Sequence, residues 1–128
     1  MTVYPIFVTK YNPCIIDVKT LIDAKEEIKK IGSDPESIEI MAPKAVTKVI
    51  KLENVVLQDA IIIKQDMLSI GGEVAVPKYT FNLHKKTGDI LVIGTLKQLN
   101  ELVGKLSRHY PRLKNIANEL SVLLKGVK

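Results

Sequence analysis

Lys64, Gln65 and Asp66 stand together inside a segment that is otherwise almost wholly apolar, running from Ile61-Ile62-Ile63 to Met67-Leu68. On an apolar helix, polar groups at fixed positions could line an interface or a small-molecule pocket. Lys64 also reads more simply, with its stem laid on the core and its ammonium extended to water, and Asp66 facing solvent. Burying a charge is costly unless it is paired. Two further places could receive an anion. Gly94-Thr95 follow an apolar run and precede a helical pattern, where free backbone amides can hold phosphate or carboxylate; Thr95 would equally serve as a plain helix cap. Lys44, in Ala42-Pro43-Lys44-Ala45, sits in a connection between two expected strands and could point at an anionic ligand or partner, since connections often carry function.

Other chemistry is poorly provided for. The chain has two histidines and one cysteine, far apart and without metal-ligand spacing, so no metal site is expected. No phosphate-binding glycine loop and no Gly-x-Ser-x-Gly elbow is present, and no cofactor is implied. Asp and Glu fall mostly on helix faces expected to be exposed, which leaves no clear general acid–base pair. No catalytic residue is assigned. The basic C-terminal stretch, with Lys105, Arg108, His109, Arg112, Lys114, Lys125 and Lys128, has one interleaved aromatic, Tyr110. It reads better as a solvated basic face than as a nucleic-acid surface.

These groups need a scaffold, and 128 residues suit one compact domain, residues 1–128. A chain of this size buries roughly 65–70% of its unfolded surface and can fold without disulfides. Aromatics make up only 5%, with no Trp, so the core must be Ile, Leu and Val. The single Cys14 points to a reducing, cytoplasmic setting. No apolar stretch approaches the roughly 20 residues of a membrane span, and no signal peptide is expected. A net charge of +5 permits an anionic partner without requiring one.

Along the chain, Val3-Tyr4-Pro5-Ile6-Phe7-Val8 reads as an edge strand. A helix follows over residues 20–31, with Leu21, Ala24, Ile28 and Ile31 on one face, capped by Thr20 and ended by Gly32. Asp34-Pro35 mark a turn or a single helical turn. Ile38-Glu39-Ile40-Met41 reads as a short strand that Pro43 interrupts, and residues 46–52 as another strand. The apolar helix spans residues 57–70, stops at Gly71-Gly72 and leads into a strand at Glu73-Val74-Ala75-Val76. Thr87-Gly88-Asp89 reads as a turn, and Ile90-Leu91-Val92-Ile93 as a strand buried on both faces. Two helices close the chain: one with Leu96, Leu99, Val103, Leu106 and Tyr110 on a face, one with Leu113, Ile116, Ala117, Leu120, Leu123 and Leu124. This order predicts an α/β (α+β) sandwich, a mixed or antiparallel sheet covered by helices, with a ferredoxin-like arrangement as one candidate.

Several pieces occur together in a familiar order: Ile31-Gly32 with Asp34-Pro35; Ile40-Met41-Ala42-Pro43-Lys44-Ala45; residues 63–72 with Ala75-Val76; and residues 89–99. Over most of the chain this resembles the N-terminal extension that precedes the catalytic barrel in some bacterial dihydropteroate synthases. Residues 1–19 are less family-like. The barrel's own pterin motif, of the Asn-Val-Thr-Pro-Asp-Ser-Phe type, is absent, and a barrel needs about 250 residues. The resemblance therefore implies a stand-alone, non-catalytic accessory or interaction domain linked to folate or methanopterin-type synthesis. Its expected partner is a separate synthase-like barrel or a second copy of itself. The competing expectation is a binding protein for a pterin, p-aminobenzoate or phosphate-like anion, held near Lys44, Lys64, Gln65, Gly94 and Thr95.

Overall fold

The structure is a computed structural model that describes residues 10–82 and 85–128. The expected strand at residues 3–8 and His84 lie outside that range.

Helix α1, Leu21–Lys30, begins where the sequence places it. Asp23 N donates to Thr20 Oγ1, and the Asp23 carboxylate accepts from Thr20 N, a reciprocal cap that satisfies two otherwise orphaned amides. Ala24 is buried, but Ile31 is 82% exposed and does not join its face. Residues 35–41 correct the sequence reading. They form helix α2, Pro35–Met41, so that Ile38-Glu39-Ile40-Met41 is helical and not a strand. Pro35 occupies the first helical position, where its missing N–H costs nothing. A 3-10 turn at Ala42–Lys44 follows and carries Pro43.

Strand β1, Thr47–Val56, runs directly into helix α3, Leu57–Ser69. Gly71 ends α3 at φ +93 and Gly32 follows α1 at φ +88, backbone conformations that glycine adopts without penalty. Strand β2, Glu73–Ala75, then a 3-10 turn at Lys78–Phe81, lead to strand β3, Thr87–Thr95. Helices α4, Leu96–Leu106, and α5, Pro111–Lys125, complete the fold. Pro111 thus opens α5; α4 has already ended at the Ser107 cap.

Among the described residues the sheet has three strands in the order β1-β3-β2, and β3 is antiparallel to both neighbours. β1 and β2 are therefore parallel, joined through α3, with β3 inserted between them. This is the split βαβ core of a ferredoxin-like arrangement. The domain is an α+β fold, as the sequence order predicts. Thr87, Gly88 and Asp89 prove to be the first residues of β3 and not a turn. Gly88 is buried there, where a Cβ would meet Pro77 Cγ at 2.9 Å and Tyr79 Oη at 3.1 Å. Opposite, β1 shifts register between Leu52 and Val55, with Asn54 at φ +55 and its N–H donating to Asp89 Oδ1 at 3.0 Å.

Among the described residues β3 is covered on one face only, against the two-sided burial that its apolar run suggests. Ile90 and Val92 are buried under the helices, whereas Leu91 is 38% exposed and faces the open side. On the covered face Ile50, Val92 and Val74 form one row across the sheet. They pack with Ile63 and Met67 of α3, Leu99, Leu102 and Leu106 of α4, and Leu113, Ala117 and Leu120 of α5. Each of the Ile, Leu, Val and Met side chains contributes roughly 1.5–3 kcal/mol on burial. A smaller cluster of Ala24, Ala42, Val46 and Leu96 joins α1 to the end of the sheet. Among the described residues no helix is long and apolar enough to cross a membrane.

Candidate functional site

Helix α3 is the central structural element. Its sequence is apolar on most sides, yet Asp59 and Asp66 recur two turns apart and so project from one face. That face meets the connection from α4 to α5. Asp59 is buried, 1% exposed. Arg112 grips it on two edges, Nε to Oδ2 at 2.8 Å and Nη2 to Oδ1 at 2.9 Å, and the Tyr110 hydroxyl also donates to Oδ1. The guanidinium lies 4.9 Å from the Tyr110 ring centroid, a cation–π contact. Asp66 is held by His109, with Nε2 and Oδ2 3.0 Å apart. One short stretch, His109-Tyr110-Pro111-Arg112, thus engages both aspartates of α3. Pro111 fixes the start of α5 so that Tyr110 and Arg112 leave the backbone on the side of Asp59.

The electrostatics follow from this geometry. Burial pushes the Asp59 carboxyl up, but hydrogen bonds from Arg112 and Tyr110, with the Arg112 charge, hold it below its ordinary value. Burial and the hydrogen bond to Asp59 raise the Tyr110 hydroxyl. Arg112 is raised as well, chiefly through its bond to Asp59. Asp59 is ionised with its oxygens occupied, and Tyr110 is protonated. Neither is a free base or nucleophile at neutral pH. The group works as a clasp between α3 and α5 and forms one wall of a cleft of ≈ 500 Å³ that Lys51, Asn54, Asn115 and Glu119 also line.

The residues singled out from sequence occupy other places. Lys64 Nζ donates to Glu73 Oε1 at 2.9 Å and to the Val74 carbonyl at 2.7 Å, which ties α3 to β2. The bond from Lys64 pulls the Glu73 carboxyl below its usual range. Gln65 is exposed on α3. Thr95 caps α4: Gln98 N donates to Thr95 Oγ1 at 3.2 Å, and Thr95 N donates to Gln98 Oε1 at 3.0 Å. The next amide, Leu96 N, donates to the Val46 carbonyl at 2.9 Å. These two amides are already satisfied within the fold. Gly94 is buried, and a Cβ there would lie 2.3 Å from Met67 Cε; the same holds at Gly72. Lys44 is exposed at the end of its 3-10 turn, and Pro43 precedes it.

Lys64 is tied to β2, while Lys44 leads into β1. These outer strands lie about 9–10 Å apart across β3, twice the usual strand spacing. None of Lys44, Lys64, Gln65, Gly94 and Thr95 lines the cleft at Asp59. Asp66, read from sequence as facing solvent, is instead engaged by His109, its side chain 20% exposed. Asp59 escaped the sequence reading altogether. The signal that could have found it is the two-turn spacing of two carboxylates on an apolar helix, matched by a basic run elsewhere.

Comparison with known proteins gives one informative match. The chain is 31% identical over 104 residues to the bifunctional dihydropteroate synthase/dihydropteroate reductase of Helicobacter pylori. The match takes in 81% of this chain but spans only 27% of that protein. No family model matches the chain. No solved structure matches it.

Proposed function

We propose that this chain is a non-catalytic accessory or interaction domain that works with a dihydropteroate synthase-type enzyme of the folate pathway. The similarity to the bifunctional Helicobacter pylori protein carries this reading, because it extends over most of the chain while covering a minor part of the relative. The fold supports it. Among the described residues the sheet is three-stranded and antiparallel, unlike a (β/α)₈ barrel, which needs eight parallel strands and about 250 residues. Asp59 and Tyr110, acidic groups at the candidate site, are spent on one another and on Arg112.

The alternative is a binding protein for a pterin, p-aminobenzoate or phosphate-like anion at Lys44, Lys64, Gly94 and Thr95. It has less support, since the Lys64 ammonium and the Thr95 amide already have partners. Nucleic-acid binding through the basic C-terminal stretch is weaker again. Two of its basic residues, His109 and Arg112, are turned onto carboxylates of α3.

Native mass spectrometry of the protein drawn from its own cell extract tests the reading. A retained partner of synthase-barrel mass supports it. A bare monomer that also fails to bind a purified synthase barrel would remove it.

A further inference from the structure

At the entry to α3, Val56, Leu57 and Ile61 wall a cleft of ≈ 720 Å³ that opens beside Lys85 and Lys86. That volume lies within the roughly 300–1,000 Å³ of small-molecule sites. Among the described residues its lining contains no carboxylate; Gln58 and Thr87 supply the neutral polar groups. The acid of the first turn of α3 is Asp59, and it points the other way with its charge taken up by Arg112. The lysines are held close to the helix by the chain itself, since Leu57 N donates to the Lys86 carbonyl at 3.0 Å. Lys85 Nζ sits 5.1 Å over the Tyr79 ring, and neither lysine forms an ion pair among the described residues. Two uncompensated cations at the lip of an apolar hollow are complementary to a ligand with an apolar body and an anionic head.

We propose that this cleft binds a small amphipathic carboxylate, its hydrocarbon body against Val56, Leu57 and Ile61 and its carboxylate between the ammonium groups of Lys85 and Lys86. The site is separate from Lys44, Lys64 and Thr95. It stands independently of the accessory role, because a domain can lack a synthase partner and still hold such a ligand.

The full isotope-labelled chain would be titrated with naphthoate and with decanoate, and followed by backbone amide shifts, with naphthamide as the uncharged control. Saturable shifts centred on Leu57, Gln58, Ile61 and Thr87 are expected. Naphthamide should bind at least about tenfold more weakly, and so should either acid to the Lys85→Glu/Lys86→Glu variant, a difference typical of a lost charge contact. Both lysines are exposed, so the variant should fold as the parent does. A preference for naphthoate marks a flat ligand and a preference for decanoate an aliphatic one; either supports the site. Shifts centred instead on Val49 and Leu91 of the open sheet face would overturn it. So would unchanged affinity in the double variant, or no saturable binding of either acid.

Discussion

Arg112 and Asp59 lie 53 residues apart in the chain, yet they meet edge to edge in a two-pronged ion pair with one partner buried and the other half in water. The Asp59 side chain is 2% exposed and that of Arg112 is 53% exposed. That asymmetry decides what each substitution should do.

Removing Arg112 leaves a buried carboxylate with only Tyr110 to answer it, whereas removing the charge of Asp59 leaves a guanidinium that can turn to water. Arg112→Met is therefore expected to destabilise the fold more than Asp59→Asn, which should cost about 1–3 kcal/mol. Urea denaturation of the two variants checks the order. Equal losses would mean that Arg112 contributes packing and not charge.

The same carboxylate sets a pH dependence. Its folded value lies below its unfolded one, so its contribution to stability is complete above the ordinary carboxylate range and is lost as pH falls through the folded value. Thermal melts of the parent between about pH 5 and pH 2 should fall more steeply than those of Asp59→Asn. Parallel curves would show that other carboxylates govern the acid limb.

Met67 and Gly94 share a space that admits no extra methyl group. Gly94→Ala should cost about 1–3 kcal/mol through overpacking. In a Met67→Ala background the penalty should shrink or vanish, because the Met67 methyl is the atom a Cβ would strike. A double-mutant cycle in urea measures the coupling. Simple additivity would place the strain elsewhere, at the Gln98 side chain.

Lys64 and Lys44, equivalent as sequence candidates, should separate in stability. Lys64→Met removes hydrogen bonds to Glu73 and the Val74 carbonyl and should cost about 1 kcal/mol. Lys44→Met, at an exposed position, should stay within about 0.5 kcal/mol of the parent. Melting temperatures suffice to tell them apart. A large loss at Lys44 would reveal a structural tie there.

The two ends of α1, the end of α3 and the start of α4 were legible in the sequence because their causes are local. Thr20 and Thr95 each form a reciprocal cap with a residue three positions on, and Gly32 and Gly71 each supply a left-handed turn. The span of α3 and the α+β class were legible for a similar reason, since long periodic runs survive tertiary context. What misled was alternation over a short window. Ile38-Glu39-Ile40 has strand spacing, but Pro35 at a helix start and continuation into Ala42 make it helical. The apolar run at β3 suggested cover on both faces, although which face a helix covers depends on partners distant in the chain. The clasp at Asp59 was hidden in the same way. A carboxylate inside an apolar helix signals that a cation must come from elsewhere, without saying that it comes from Arg112.

The strand order also dictates when the fold can be assembled. β3 lies between β1 and β2 but follows both in the chain, so neither outer strand has a sheet neighbour among the described residues until β3 is present. On a ribosome, β1 leaves the tunnel with its apolar residues Val49, Ile50 and Leu52 and waits for about forty further residues before Thr87–Thr95 can pair with it. During that interval the nascent chain carries exposed strand edges, and this is the stage at which chaperone binding or stalled synthesis would bear most heavily on its yield.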